Sequence, residues 1–224
     1  VLVANQGTFC YSPCNPRMHP IVGGGSDSTG KNVVAVWSSR MNGAADDDVY
    51  AVISRDFGAT WTQPIRVNTA TAGRQIQAWA GADSHGRIHV AWTDLSRGNS
   101  QTAVMYANTL NNTFTKEVEV TDRRAGISGF FGDYKGLWID NEDVLITWMD
   151  SRSGSAQIYF NRGRNLAAGV GTAVVPGTPG YRHEAVWGRS TPDFDVAGRK
   201  LRSTRAGAPR AAGKYLSNPG KGGK

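Results

Sequence analysis

Cysteine is nearly absent from this 224-residue chain: only Cys10 and Cys14 are present. Two cysteines rule out a disulfide-dense scaffold. With no second pair and no nearby histidine doublet, they also rule out a zinc site. Their spacing suits a small disulfide loop in an exported protein. The four histidines, His19, His85, His89 and His183, lack metal-ligand spacing. No run of 18 apolar residues occurs, which excludes a helical membrane span. The first residues lack a basic segment followed by an apolar one, so a signal peptide has been removed or the chain is a segment of something longer. Leucine is scarce. Acidic residues are missing from 196 to 224, where eight basic ones stand. Without that tail the chain has seventeen basic and eighteen acidic residues, so the formal charge of +7 belongs to the tail. Such a Gly/Pro/Arg/Lys segment cannot bury enough apolar area to fold alone. A role in nucleic-acid binding would require affinity that falls steeply with salt and vanishes when 196–224 is deleted.

Twenty-eight glycines and seven tryptophans fit a turn-rich, all-β protein. Three segments share one layout: VVAVWSSR ending at Arg40, IHVAWTDLSR at Arg97 and VLITWMDSR at Arg152. Their tryptophans, Trp37, Trp92 and Trp148, lie 55 and 56 residues apart. Each ends a β-branched run of the kind buried on both faces. A polar turn and a second strand ending in a tyrosine follow: Tyr50, Tyr106 and Tyr159. A third strand is expected in TQPIRVNT, TKEVEVTD and GTAVVPG. A shorter strand precedes each tryptophan strand, joined to it by turns such as Asp27-x-x-Gly30 and Asp83-x-x-Gly86. Four short strands per 50 to 55 residues is the content of one β-propeller blade; a β-sandwich of similar hairpins is the alternative. The expected divisions are an N-terminal strand and Cys loop (1–14), blades at 15–70, 71–125 and 126–172, an extension (173–195) and the basic, disordered tail (196–224).

SRDFGATW, Ser54 to Trp61, sits at a hairpin tip. Asp56 is suited to accept backbone N–H groups of its own turn, and Gly58 to adopt a backbone angle closed to other residues. Trp61 then starts the next strand with its ring against the blade. These four positions make Asp56 structural rather than catalytic. The octapeptide resembles the Asp-box, or BNR repeat, of the sialidase (neuraminidase) superfamily. The segment from Gly132 to Arg162 resembles the last-blade pattern of sialidase-like bacterial proteins, and the likeness spans roughly residues 15 to 165. The second unit, ANTLNNTF, keeps only Phe114 of the box, and the third, NRGRNL, has lost it.

The resemblance implies a six-bladed propeller and, in active members, removal of terminal sialic acid. That chemistry needs arginines to hold the substrate carboxylate, a tyrosine nucleophile with a glutamate beside it, and an aspartate as acid and base. The family's early Arg-Ile-Pro-like motif is missing; NPRMHP around Arg17 is the nearest segment. The candidate substrate-binding residues are Arg40, Arg97 and Arg152, and the candidate catalytic pair is Asp133 and Tyr134. Asp94 with Arg97, and Asp150 with Arg152, read first as pairs that fix their own turns. Tyr181 and Glu184 form a further nucleophile-and-helper candidate. Asp46, Asp47 and Asp48 read as solvated loop acids, with Ca²⁺ as the competing reading. Trp79 and Trp138 read as packing residues. No metal and no cofactor is expected.

Three blades fall short of the four to eight that close a ring. Three completions remain open: a longer protein, pairing of two chains, or a fourth blade built from the ends. The reading is a sialidase-like propeller, secreted or periplasmic, with a glycan or sialoside ligand and no membrane partner. Its alternative is a non-catalytic propeller that binds glycans or proteins outside the cell.

Overall fold

A computed structural model describes residues 21–41, 46–98, 100–126, 135–140 and 143–164. Among them every regular element is a strand. The first sheet runs in the order β1 (Gly23–Ser26), β2 (Val33–Ser39), β3 (Asp48–Ser54) and β4 (Ile65–Arg66). The second repeats it with β5 (Gln75–Ala82), β6 (Ile88–Asp94), β7 (Ala103–Thr109) and β8 (Val118–Glu119). The third comprises β9 (Gly136–Ile139), β10 (Asp143–Asp150) and β11 (Gln157–Arg164). All pairings are antiparallel. The fold is all-β, with three neighbouring blades of a β-propeller. The ends of the chain, including Cys10, Cys14, Arg17, Tyr181, Glu184 and the GTAVVPG segment, lie outside the described residues.

Strand alternation sends one side-chain set to each face, and the sheets stack through those faces. Val34, Val36, Val49, Ala51 and Ile53 of the first sheet meet Ala78, Ala80, Ala82, Val90 and Trp92 of the second. The second sheet's other face brings Ala91, Val104 and Tyr106 against Val144, Ile146, Trp148 and Tyr159 of the third. Trp37, Trp92 and Trp148 are 3%, 1% and 6% exposed. Each projects toward the N-terminal side of its own sheet: Trp92 packs with the first sheet and Trp148 with the second, while Trp37 clusters with Tyr50 and Val52 on the face away from the second.

The tyrosine repeat holds in two blades only. Trp37 stands opposite Tyr50 and Trp148 opposite Tyr159, with rings 6.3 and 6.2 Å apart. Trp92 stands opposite Met105 instead. Tyr106 is one residue further on, and a one-residue offset turns a side chain to the other face. There its hydroxyl meets His89 Nδ1 at 2.7 Å and accepts from Asn108 Nδ2. His89 Nε2 lies 3.3 Å from Asp83 Oδ2, and Arg87 donates to Asn108. The middle sheet therefore encloses a buried polar network where the outer two hold stacked rings.

Glycine sets the spacing at the inner edge. A Cβ on Gly23 would lie 2.6 Å from the Ala78 carbonyl oxygen, and one on Gly81 would lie 2.9 Å from Ile139 Cδ1. At the first seam the inner strands thus approach almost backbone to backbone. The first-to-second strand turns repeat as well. Asp27 Oδ1 accepts from Thr29 N and Lys31 N, Asp83 Oδ1 from His85 N and Arg87 N, and Asp140 Oδ1 from Asp143 N.

The Ser54–Trp61 tip joins β3 to β4 at this same end. Ser54 Oγ donates to Asp56 Oδ1 and accepts from Gly58 N. Thr60 gives Asp56 both its N–H and its hydroxyl. Gly58 has φ +81°, and Trp61 Nε1 donates to its carbonyl. Hydrogen bonds from Thr60 and Ser54 hold the Asp56 carboxyl below its usual range. Arg55 leaves the tip for the second sheet, where it donates to the Gly86 and Leu110 carbonyls and to Asn112 Oδ1.

Gly23→Ala should force the first two sheets apart and cost about 1–3 kcal/mol, as overpacking does; urea denaturation measures the loss. A second expectation concerns His89. Burial, the largest influence, lowers its pKa despite the opposing pull of Asp83. As pH falls below about 6.5 the unfolded chain takes up the proton first, so this part of the stability is complete above that pH and declines beneath it. Thermal unfolding between pH 7.5 and 5 should show wild type losing more than His89→Gln.

Candidate functional site

The meander topology places the connections β2–β3, β6–β7 and β10–β11 at the end opposite the Asp56 tip, together with the starts of β5 and β9. Charge gathers there. Asp47 is fully buried between Arg40 (3.3 Å) and Arg74 (2.7 Å), and its carbonyl accepts from Gln75 N. Asp48, also fully buried, pairs with Arg66 at 2.8 Å and accepts from Asn68 Nδ2. The reading of Asp46, Asp47 and Asp48 as solvated acids is therefore corrected, since all three are buried. For Asp47 and Asp48, arginines approaching from three separate segments offset the desolvation that burial imposes. Among the described residues no group of three acids, histidines or cysteines forms a metal site.

From Asn68 the network continues through Gln75 to Asp94. Asp94 accepts from Ser96 and pairs with Arg124 at 3.0 Å. Burial pushes the Asp94 carboxyl up, but hydrogen bonds from Gln75, Ser96 and Arg124 outweigh it, and the net pKa is lowered. Arg124 also holds Glu119. Asp94 thus takes its arginine from the far end of its own blade. Arg97 is exposed and makes no ion pair among the described residues, which corrects the expected pairing within that turn.

The third blade does pair within its turn. Arg152 donates to both Asp150 oxygens, bridges to Asp122, and lies with its guanidinium carbon 4.4 Å from the Tyr159 ring centroid. Trp148 Nε1 completes the Asp150 shell at 3.0 Å. Desolvation lowers the basicity of Arg152, yet the bonds to Asp150 and Asp122 overcome it and raise the pKa. Of the three candidate substrate-binding arginines, Arg40 and Arg152 are therefore held by carboxylates and Arg97 faces solvent. Asp133 and Tyr134 lie outside the described residues.

One cation at this end differs from the arginines. Lys135, just before β9, is 6% exposed. Its Nζ donates to Gln77 Oε1 at 3.1 Å and to Thr93 Oγ1, and no carboxylate pairs with it among the described residues. Burial alone lowers its pKa to about 7. Gln77 reaches it because β5 is bulged between Ile76 and Trp79, with φ +53° at Gln77. Gln77, Thr93 and Lys135 line a cavity of about 20 Å³ on the seam between the second and third blades, with Thr102, Trp148 and Asp150 among its other walls. That volume exceeds the smallest able to hold a water. Lys135 escaped notice in the sequence because a lone lysine beside a short apolar run reads as a solvated strand end.

Trp79 is half-buried beside Gly23. Trp138 is 55% exposed: Leu137 and Ile139 alternate toward the second blade, so Trp138 lies on the opposite face of β9.

No family model matches the chain. Outer capsid protein VP2 of Rice ragged stunt virus (isolate Thailand) is 28% identical over 145 residues, covering 59% of this chain and 12% of that protein. Among solved structures, a GH93 alpha-L-arabinofuranosidase of Fusarium graminearum in complex with arabinobiose is similar at TM-score 0.46 and 14% identity, over 66% of this chain and 46% of the other. A Hadza microbial sialidase is similar at TM-score 0.44 and 12% identity, over 68% and 32%. A B. megaterium levansucrase is similar at 0.37 and 10%, over 58% and 40%. The chain thus spans less than half the length of each of these proteins.

Lys135→Met should abolish one component of the pH dependence of stability. Between about pH 7 and 10.5 the unfolded chain holds a proton that the folded amine has lost, so wild-type stability climbs over that window. Urea midpoints at pH 7 and 9.5 should rise in wild type and rise less in the variant.

Proposed function

We propose that this chain is part of a carbohydrate-active β-propeller of the Asp-box type, binding or trimming glycans at the charged end of its blades. The observation that carries the reading is the Ser54–Trp61 tip. Each position the repeat specifies makes a turn-locking contact: Ser54 to Asp56 and Gly58, Asp56 to Thr60, and Trp61 to Gly58. This tip leaves the opposite end for ligands, where loops from three blades converge. The finer reading is exo-hydrolysis of terminal sialic acid or a related sugar. In it Arg97 meets the ligand carboxylate, Asp133 serves as acid and base, and Tyr134 is the nucleophile. Export from the cytoplasm, and completion of the ring by a second copy or by further blades, belong to the same proposal.

A second reading, a non-catalytic propeller binding glycans or proteins, is favoured by one observation. Arg40 and Arg152 are tied to Asp47, Asp150 and Asp122 rather than open to a substrate carboxylate.

Hydrolysis of a fluorogenic sialoside by the pure chain, with its solution mass measured alongside, separates the two. The enzyme reading expects turnover that Tyr134→Phe reduces by at least about a hundredfold, as loss of a nucleophile does. No turnover by monomer or dimer selects the binding reading, under which Arg97→Ala weakens glycan retention without any catalytic phenotype.

A further inference from the structure

The Lys135 cavity has a composition that neither carbohydrate reading uses. Buried lysines ordinarily have a carboxylate partner; among the described residues this one meets two neutral oxygens, Gln77 Oε1 and Thr93 Oγ1. Two acceptors satisfy the two N–H groups of a neutral amine, leaving its lone pair as the remaining tetrahedral position. The adjacent space, about 20 Å³, has Ala103, Val104 and Met149 as apolar wall and Thr93 and Thr102 as hydroxyl wall. A desolvated amine beside such a space is the arrangement in which lysine acts as a nucleophile toward carbonyl carbon. That space is on the scale of one or two waters and suits a partner of very few heavy atoms.

We propose that the cavity between the second and third blades is a carbonyl-binding site, in which Lys135 Nζ condenses with an aldehyde of one or two carbons. The nitrogen lone pair attacks the carbonyl carbon to give a carbinolamine, with a proton moving from nitrogen to the former carbonyl oxygen. Loss of that hydroxyl, protonated, as water forms the C=N bond, so one aldehyde and one amine give one imine and one water. Thr93 Oγ1, already within reach of Nζ, is placed to pass the proton. The bulge at Gln77 holds the amine from the other side, and Asp150, in the same cavity wall, is already paired with Arg152 and accepts from Trp148. The lowered basicity of Lys135 agrees with this chemistry, since a neutral fraction is present near neutral pH. The site is independent of whether the blades bind glycans.

The test is competitive reductive trapping on the wild-type folded chain. Formaldehyde, acetaldehyde or benzaldehyde is added with cyanoborohydride, whose hydride reduces any imine to a stable secondary amine, and each lysine is quantified by peptide mass. Formaldehyde and acetaldehyde should label Lys135 at pH 7 at least about tenfold faster than an ordinary exposed lysine, which is almost wholly protonated there. The Lys135 rate should level off as pH rises past about 7, and benzaldehyde should spare Lys135. Lys135→Arg should lose the fast adduct. Labelling of Lys135 that is no faster than at other lysines, that appears only after denaturation, or that benzaldehyde achieves equally well overturns the proposal.

Discussion

The architecture depends on how closely the inner strands of adjacent sheets approach. Sheets arranged around a common axis must be thin at the inner edge and thick further out. Gly23 and Gly81 provide the thin edge, where a single methyl group would collide with the Ala78 carbonyl or with Ile139. Alanines 78, 80 and 82 line the same strand, and the bulk of Trp92, Trp148 and Tyr159 lies one or two strands outward. This gradient of side-chain volume makes a wedge of each blade, and two seams made this way determine how the three sheets stand together. Packing at native density leaves little freedom to shift one sheet without disturbing both seams.

Polarity is divided between the two ends by chain direction. At one end, first-to-second strand turns recur with an aspartate whose oxygens are taken by local N–H groups. At the other, the carboxylates Asp47, Asp48, Asp94 and Asp150 are matched by guanidinium groups drawn from different connections. Planar, bidentate arginine suits that duty better than lysine does. Lys135 is the exception, placed between a glutamine and a threonine that offer it neutral acceptors. The same end thus holds charges that neutralise one another and an amine whose burial lowers its pKa to about 7.

Much of the fold was legible because its signals are periodic. The three tryptophan strands, the Asp-x-x-Gly turns and the SRDFGATW tip each announce a local geometry from few residues. Partnership was harder to read. Asp94 looks to Arg97 in sequence but pairs with Arg124, thirty residues on, because sheet order brings the two together. Three adjacent acids look like a solvated loop until Arg40, Arg66 and Arg74 converge on Asp47 and Asp48. Tyr106 looks equivalent to Tyr50 and Tyr159, yet hairpin register turns it to the other face, since alternation depends on turn length as well as on residue type. The importance of Lys135 depends on a bulge at Gln77 that no short motif reveals.

Arg55 gives the tip a mechanical meaning. Its guanidinium leaves the first sheet and ends on Gly86, Leu110 and Asn112, which lie in two separate hairpin turns of the second. A fastening with several attachment points resists sliding as well as separation. Shear between these two blades would have to break contacts at both turns together, so the rim of the seam behaves as a riveted joint whose tightness the tip transmits to its neighbour.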